Sequence, residues 1–238
     1  MSAQAKLQLA VLLSGRGTNM LAIARSCREG LIGAQLAAVI SDRPRAPGIA
    51  AARELGLRTS VIDAQHYPER AAFEDALEAA LRHCGAELIV LAGFMRILSP
   101  GFVQRHSGRM LNIHPSLLPR YQGLHTHRRV LEAGEREHGA SVHFVSEVLD
   151  GGPVICQARV PVRARDSELS LAVRVQRQEH RIYPLVIGLI ASGRLRLQGA
   201  TILLDGQVLA SPIAAHGEPH VAARGEPLDD ASGAAAHV

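Results

Sequence analysis

The sequence predicts an α/β protein with a Rossmann-like open, mostly parallel sheet, helices on both faces and antiparallel strands near the C-terminus. Three observations lead to this fold class. Short apolar runs alternate with segments of helical spacing over the first two thirds of the chain. These runs are continuously apolar, which is typical of strands buried on both faces. The 238 residues are 47% hydrophobic, which is enough for the core of one large α/β domain.

The first third of the chain contributes three strands and three helices. Apolar runs predict strands at 7–13, 34–40 and 58–62. Helices are predicted at 21–27, 48–55 and 69–83. In the last of these, the following apolar residues recur at helical spacing: Ala72, Phe73, Ala76, Leu77, Ala80 and Leu81.

The middle of the chain continues the alternation with shorter elements. An apolar strand is predicted at 88–92, bounded by Gly93, and a helical turn at 100–106. A strand at 110–114 follows and ends at a proline, which cannot donate a ladder hydrogen bond. The helix predicted at 127–133 is stopped by Gly134.

The pattern changes in the last third of the chain. Strands at 141–145 and 154–161, joined by a short Asp-Gly-Gly loop, suit an antiparallel pair that extends one edge of the sheet. A long helix is predicted at 167–190. Segments 195–197 and 201–209 then predict a second hairpin, with Asp205-Gly206 as its turn. We expect one domain over 1–210 and a disordered tail over 211–238, where glycine, alanine, proline and histidine lack any period.

The composition indicates which kinds of molecule the protein binds. The formal net charge is +4, but the basic residues are spread along the chain and mixed with 22 acids, whereas nucleic-acid binders cluster theirs. Aromatic residues total 3%, too few for base-stacking surfaces. Neither a membrane span nor a signal peptide is indicated, and three scattered cysteines suit a reducing cytoplasm. We expect a cytoplasmic protein with small anionic ligands and no nucleic-acid or membrane partner.

A glycine turn, Ser14-Gly-Arg-Gly-Thr-Asn, lies between the first strand and the first helix. Its two glycines allow a sharp bend and a close approach of a ligand to the backbone. Thr18 or Asn19 is expected to cap the helix, whose free N–H groups attract anions. Met20 stands where a dinucleotide fingerprint has its third glycine. The turn therefore indicates a monophosphate site, and the alternative is a tight turn without a ligand.

Polar side chains stand at the end of the strand at 110–114. Asn112 and His114 point to the same side because side chains alternate along a strand. In open α/β sheets, ligands bind at the carboxyl ends of the strands. Asp150 would favour the imidazolium form of a neighbouring His114, and the Asn112 amide can donate to a developing oxyanion. Singly, each residue also has a structural explanation. Together they suit attack on a carbonyl without a covalent enzyme intermediate.

Neither an enzyme nucleophile nor a metal site is indicated. No serine lies in a nucleophile elbow, and a proline separates Ser116 from His114. Several histidines in this part of the chain could in principle chelate zinc: His114, His125, His127, His138 and His143. No cysteine or acid stands beside them at ligand spacing, so we expect no metal.

Five blocks resemble one known family, in the family's order. They are SGRGTN at 14–19, AGFMRILSP at 92–100, LNIHPSLLPRYQGLHTHRRVLEAG at 111–134, HGASVHFVSEVLDGGPVI at 138–155 and QEHRIYPLVI at 178–187. The chain is similar to the 10-formyltetrahydrofolate-dependent formyltransferases. Within that family, the blocks with Gly-Leu-His-Thr-His and Gln-Glu-His favour the phosphoribosylglycinamide formyltransferases.

The resemblance implies an enzyme that transfers a formyl group from the co-substrate 10-formyltetrahydrofolate to glycinamide ribonucleotide, in purine biosynthesis. It implies that Asn112, His114 and Asp150 are the catalytic trio. It assigns the ribotide to Gly17, Thr18, Asn19, Gln176, Arg177, Gln178 and Glu179. It assigns the folate to Arg70, Met95, Arg96, Ile97, Leu98, Asn112, Ser146, Glu147, Val148, Leu149 and Asp150. Without the resemblance, 95–98 would be predicted as core and Arg70 as a solvated residue.

The implied reaction agrees with the chemistry of these residues. The substrate amine is the nucleophile, so the enzyme needs none. His114 and Asn112 would stabilise the oxyanion of the tetrahedral intermediate, and such donors are typically worth about 3 kcal/mol each. The loop at 117–125 contains Pro119 and Gly123, and we expect it to be mobile and to close over substrate. A monomer or weak homodimer is expected.

Four alternative functions would each require a different feature. Methionyl-tRNA formyltransferase would carry a further C-terminal domain, and formyltetrahydrofolate deformylase would carry an N-terminal regulatory domain; we expect neither here. A noncatalytic phosphate-sensing domain would have a broken trio, whereas all three residues are present. A nucleic-acid-binding protein would show steeply salt-dependent binding.

Overall fold

Strands and helices alternate along residues 5–215, the part of the chain that the computed structural model describes. The strands are β1 Leu7–Leu13, β2 Ala34–Ser41, β3 Thr59–Val61, β4 Leu88–Leu91, β5 Met110–His114, β6 Glu137–Phe144, β7 Val154–Pro161, β8 Leu195–Gln198, β9 Thr201–Leu204, β10 Gln207–Val208 and β11 Ile213–Ala214. The helices are α1 Thr18–Arg28, α2 Pro47–Glu54, α3 Arg70–Cys84, α4 Pro100–Arg105, α5 Thr126–Glu132 and α6 Glu168–Ala191. None of these helices is long and apolar enough to cross a membrane.

The main sheet has eight strands in the order β11-β7-β6-β5-β4-β1-β2-β3. The five strands from β3 to β5 are parallel to one another, and β6 is antiparallel to both β5 and β7. This confirms the predicted fold class. The strand order reverses between β1 and β4, and ligand crevices of open α/β sheets lie outside the carboxyl ends of the strands at such a reversal.

Helices cover both faces of the sheet because its strands are apolar on both sides. In β1, Leu9, Val11 and Leu13 pack into a core that includes residues of α1, α2 and α6. The alternate residues Ala10 and Leu12 pack into a second core with residues of α3 and α4. The two cores use alternate side chains of the same strand, as the period of two requires.

Strand β6 begins four residues earlier than the predicted start at 141. The segment Glu137-His138-Gly139 contains no apolar side chain, so its sequence gives no strand pattern. It pairs nevertheless with β7, Gly139 lying opposite Arg159. A Cβ at Gly139 would collide with the Ala158 carbonyl oxygen, which explains the glycine at this close approach of two strands.

The C-terminal hairpin differs from the prediction. Strands β8, β9 and β10 form a three-stranded antiparallel sheet separate from the main one, instead of the predicted two-stranded hairpin. The predicted turn at Asp205-Gly206 is present between β9 and β10, and an additional turn at 199–200 joins β8 to β9. Ile213–Ala214 is a strand parallel to β7, although a disordered tail was expected from residue 211. The rest of that predicted tail, 216–238, lies outside the described residues.

Candidate active site

Strand β5 presents its polar side chains on the face that α3 and α4 cover only in part. Met110 packs in the core on that face, and Asn112 and His114 follow it at alternate positions. The neighbouring strand β6 places His143 opposite Asn112 and Ser141 opposite His114. Directly opposed residues of an antiparallel pair share a face, so four polar side chains meet over these two strands.

Asp150 reaches this face because the β6–β7 loop folds back over the sheet. Its backbone φ is +51°, in the left-handed region that aspartate tolerates better than most residues. Two residues later, a Cβ at Gly152 would collide with the Phe144 carbonyl oxygen at the end of β6. The Asp-Gly-Gly sequence therefore allows the tight return that carries the Asp150 carboxylate above β5.

The three side chains of the predicted trio converge. The His114 Nδ1 atom lies 3.4 Å from Asp150 Oδ2, and both side chains are 8% exposed. The Asn112 amide nitrogen lies 3.4 Å from the other carboxylate oxygen, Oδ1. An imidazole, an amide and a carboxylate thus share one site that is largely screened from water, where electrostatic interactions are stronger than in solvent.

His143 fixes the orientation of the Asn112 amide, and sequence analysis did not identify this role. His143 Nδ1 donates to the Phe144 carbonyl at 2.9 Å, so Nε2 carries a lone pair when the ring is neutral. Burial lowers the pKa of His143, which favours that neutral form. The Asn112 amide donates to Nε2 at 3.1 Å. The available indication in the sequence was the polar alternation Ser141-x-His143 within an apolar strand.

The loop at 117–125 closes over the trio in this structure. The Tyr121 carbonyl oxygen lies 2.9 Å from His114 Nε2, and the Gly123 amide donates to Asp150 Oδ2 at 2.9 Å. Both ring nitrogens of His114 therefore face oxygen acceptors. The expected mobility of this loop stays a prediction.

The glycine turn leaves the N-terminus of α1 open. Gly17 is the N-cap residue, with φ +73°, and no side chain caps the helix. The expectation that Thr18 or Asn19 caps it is wrong, because Thr18 already lies in the first turn. A Cβ at Gly17 would lie 2.8 Å from the Gly48 Cα, so this turn packs tightly against the start of α2. The first N–H groups of α1 are available to an anion.

The two predicted parts of the ribotide site meet through one hydrogen bond. The Asn19 amide donates to Glu179 Oε2 at 2.8 Å, which joins α1 to α6, and both residues are buried. Burial raises the pKa of Glu179. Of the other predicted residues on α6, Gln178 accepts from Arg181 at 2.7 Å, and Arg177 is exposed. Gln176 is half-buried.

The predicted folate residues form two segments with exposed apolar side chains. Met95 and Ile97 follow β4 and are 56% and 63% exposed, whereas Leu98 is buried. Val148 and Leu149, in the loop that carries Asp150, are also exposed. Exposed apolar side chains beside a buried polar site are typical of a ligand-binding surface.

Charged and polar residues accompany these segments. The Arg96 guanidinium lies 4.6 Å from the centre of the Phe73 ring, and Arg70, at the start of α3, is exposed. The Ser146 hydroxyl donates to the Val148 carbonyl at 3.2 Å, and Glu147 is exposed. The structure thus gives Ser146 a local hydrogen bond within the loop.

Four of the five histidines considered as zinc ligands, all except His125, have hydrogen-bond partners in the structure. Within residues 5–215, no three histidine, cysteine, aspartate or glutamate side chains are grouped to hold a metal ion. His127 Nδ1 and His138 Nε2 lie 3.0 Å apart, as a hydrogen-bonded pair between α5 and β6. Burial lowers the pKa of both rings, that of His138 to about 4.

Comparison with known proteins agrees with this geometry. A family model described as formyl transferase matches residues 7–187, more than half of the chain. The chain belongs to the formyl transferase family. This formyl transferase family member is 50% identical over 203 residues to the phosphoribosylglycinamide formyltransferase of Escherichia coli, covering 85% of the chain and 96% of that protein.

Other relatives of this formyl transferase family member carry related names. It is 43% identical over 192 residues to the human trifunctional purine biosynthetic protein adenosine-3, covering 81% of the chain and 19% of that protein. The solved structure of the phosphoribosylglycinamide formyltransferase of Coxiella burnetii, in complex with CHES, superposes with a TM-score of 0.84. That match has 47% identity and covers 88% of this chain and 99% of that one.

Proposed function

We propose that this formyl transferase family member transfers the formyl group of 10-formyltetrahydrofolate to the amine of glycinamide ribonucleotide. The products are N-formylglycinamide ribonucleotide and tetrahydrofolate, in purine biosynthesis. The observation that carries the proposal is the convergence of Asn112, His114 and Asp150 within 3.4 Å in a chain 50% identical to a named phosphoribosylglycinamide formyltransferase. No covalent enzyme intermediate is required, because the amine itself is the nucleophile.

The ribotide binds across α1 and α6. Its phosphate lies against the open N-terminus of α1 at Gly17, Thr18 and Asn19, where backbone N–H groups and the helix dipole favour negative charge. Glu179, fixed by its hydrogen bond to Asn19, accepts from ribose hydroxyls. The tight packing of Gly17 on Gly48 holds this turn in place before substrate arrives.

The folate lies between the two exposed apolar segments, 95–98 and 146–150. Met95, Ile97, Val148 and Leu149 gain contacts with its flat ring system, so their exposed apolar surface is removed from water on binding. Arg70, an exposed cation at the start of α3, pairs with a carboxylate of the folate tail. The formyl group then points toward the trio, beside Asn112.

The transfer step places a developing oxyanion beside His114. The amine attacks the formyl carbon, a C–N bond forms, and the carbonyl oxygen gains the electron pair. In the structure, the His114 Nε2–H donates to the Tyr121 carbonyl. The formyl oxygen replaces that carbonyl as the acceptor, and Asp150 keeps the imidazolium oriented from Nδ1. When the tetrahedral intermediate collapses, the bond between the formyl carbon and the folate nitrogen breaks. The amine loses one proton, and the folate nitrogen gains one.

A direct test measures tetrahydrofolate release from 10-formyltetrahydrofolate with and without glycinamide ribonucleotide. We expect release only when the ribotide is present, with one N-formylglycinamide ribonucleotide formed per tetrahydrofolate. Release at the same rate without ribotide would identify a hydrolase and overturn the proposal. The absence of release under both conditions, in a folded protein, would overturn it as well.

The remaining expectations concern metal, assembly and location. No step above uses a metal ion, so activity should be unchanged after dialysis against a chelator. We expect small-molecule partners only, a monomer or weak homodimer in sedimentation experiments, and a cytoplasmic location. Chelator-sensitive activity restored by one divalent metal would contradict the first of these expectations.

A further inference from the structure

The Ser14 side chain lies between the two proposed substrate-binding segments, and the proposed function gives it no role. Ser14 directly follows β1 and is the first residue of the glycine turn. Its backbone N–H donates to the Gly93 carbonyl, just after β4, at 3.0 Å. Strands β1 and β4 are neighbours in the sheet, and the strand order reverses between them. Ser14 therefore lies at the strand ends where ligands of open α/β sheets bind.

The Ser14 hydroxyl joins the end of β2 to the segment that follows β4. It donates to Asp42 Oδ1 at 2.6 Å, and Asp42 directly follows β2. The same oxygen accepts from the Met95 backbone N–H at 2.9 Å. A hydroxyl donates one proton and accepts through its lone pairs, so both bonds form together. Ser14 is 3% exposed and Asp42 is 5% exposed, so water has little access to either bond.

The proposed folate segment, 95–98, is held at its other end by a second buried carboxylate. The Ser99 N–H donates to Glu74 Oε1 at 2.6 Å, and the Ser99 hydroxyl donates to Oε2 of the same group. Glu74 lies on α3 and is buried. The contact at Glu74 fixes the segment to a helix outside the ribotide end, whereas the contact at Ser14 fixes it to the glycine turn.

The glycine turn beyond Ser14 has little freedom to adjust. The Gly48 N–H donates to the Gly15 carbonyl at 3.0 Å, and a Cβ at Gly17 would lie 2.8 Å from the Gly48 Cα. The turn is therefore fixed against α2 on one side, and the Ser14 hydroxyl sets its distance from Met95 on the other. Both binding segments are held in place before substrates arrive.

We propose that Ser14, supported by Asp42, is a positioning residue that keeps the folate segment in register with the glycine turn. This inference rests on the proposed function. Transfer requires the formyl carbon of the folate and the amine of the ribotide to approach within about 3–3.5 Å. Each substrate binds on one side of the Ser14 contact. The contact therefore affects the distance between the reacting atoms and leaves the affinity for either substrate alone unchanged.

The experiment compares the parent protein with Ser14→Ala. It measures kcat for transfer, and the dissociation constants of glycinamide ribonucleotide and of tetrahydrofolate, each bound alone. We expect kcat to fall roughly tenfold and both dissociation constants to stay within about twofold of the parent, because misplaced reacting groups slow transfer without weakening either complex. The matched control is Ser26→Ala, which removes a hydroxyl that donates to the Ala22 carbonyl within α1, and it should keep the parent's values.

Two substitutions at Asp42 test the same contact with the Ser14 side chain intact. Asp42→Asn keeps an oxygen that accepts from the Ser14 hydroxyl, whereas Asp42→Ala removes it. We expect Asp42→Asn to retain most of the parent's kcat and Asp42→Ala to be about as slow as Ser14→Ala. Equal rates in the two Asp42 variants would overturn the proposal, because the hydrogen bond to Ser14 would then have no effect on transfer.

Two results in Ser14→Ala would also overturn the proposal. The first is an unchanged kcat. The second is a dissociation constant for one substrate that rises as much as kcat falls, because Ser14 would then support one binding site and not the register between two. A parent protein that transfers no formyl group to the ribotide would overturn the proposed function instead.

Discussion

The ribotide end and the catalytic end of the proposed site are built in different ways. The ribotide end depends on backbone: a left-handed Gly17, in contact with Gly48, opens the N-terminus of an eleven-residue helix. The catalytic end depends on side chains that three separate pieces of chain bring together, two neighbouring strands and a loop that folds back to Asp150.

Substitutions at the two ends should therefore affect different measured quantities. At the ribotide end, the anion site forms only where the backbone has no Cβ in the way. Substitutions there should therefore lower stability and raise the KM for the ribotide. At the catalytic end, the backbone tolerates other side chains, but the reacting groups are lost, so changes should appear in kcat.

The largest effect is expected at the catalytic end. We predict that His114→Ala lowers kcat about 10³-fold, with a smaller change in KM, because it removes an oxyanion donor and the partner of Asp150. Steady-state kinetics measures this, with His83→Ala, an exposed histidine on α3, as the control. Near-normal turnover in His114→Ala would contradict the assignment.

Two buried titratable side chains, His138 on β6 and Glu179 on α6, should change stability with pH in opposite directions. Burial, and then the neighbouring His127, lowers the pKa of His138 to about 4 from an ordinary value near 6.5. The unfolded chain therefore binds this proton at a higher pH than the folded chain does, and stability falls as the pH drops from about 6.5 to about 4. The loss is on the order of 3 kcal/mol.

Protonation of Glu179, at the ribotide end, should change the stability in the opposite direction. Its pKa is raised by burial, so its protonation favours the folded state, and the cost of the buried charge disappears as the pH falls through the folded-state pKa. Denaturant unfolding at several pH values measures both contributions. We expect His138→Gln to flatten the loss between about pH 6.5 and 4, and Glu179→Gln to stabilise the protein most near neutral pH. A His138→Gln variant with the parent's pH dependence would contradict the first contribution, and a Glu179→Gln variant no more stable than the parent near neutral pH would contradict the second.

A Cβ at Gly17 should disrupt the ribotide end. Gly17→Ala places a side chain at φ +73° and 2.8 Å from the Gly48 Cα, which we expect to cost about 2 kcal/mol of unfolding free energy and to raise ribotide KM. Gly15→Ala is the matched control for stability, because nothing lies within 4 Å of the position that its Cβ would occupy. Equal stability of the two variants would show that the close approach to Gly48 is unimportant.

The smallest effect is expected at His143, which orients the Asn112 amide. His143→Ala removes the acceptor at 3.1 Å from the Asn112 amide and leaves only the longer contact with Asp150. We predict about a tenfold lower kcat at unchanged ribotide KM, since an unsatisfied buried N–H costs about 1–3 kcal/mol. His143→Gln retains an acceptor and should recover part of the rate. If the glutamine variant is as slow as the alanine variant, His143 acts only through packing.

Elements with strong apolar patterns were predictable from the sequence. The helix predicted at 69–83 is observed at Arg70–Cys84, and the first strand at Leu7–Leu13, because each buries a periodic apolar surface. The start of β6 was not predictable, since His138 and Gly139 give no strand pattern and only pairing with β7 places them in the sheet. Pairing with β7 likewise orders Ile213–Ala214, which lies within a segment without any period.

Some features of the candidate site were likewise predictable from the sequence, and others were not. Alternation along β5 places Asn112 and His114 on one face from sequence alone. Local rules failed at Gly17, because its close packing on Gly48 is a tertiary contact and the helix is capped by glycine instead of Thr18 or Asn19. The partnership of His143 with Asn112 depends on the register between two strands, which a single sequence does not specify.

In the proposed reaction, His114 and Asp150 act as one unit. A double-mutant cycle tests it most directly, with kcat/KM measured for His114→Ala, Asp150→Ala and the double variant. If the two groups work through their shared contact, the double variant will be hardly slower than the slower single variant. Losses that multiply in the double variant would show that the two side chains act independently, and would contradict a joint role of His114 and Asp150.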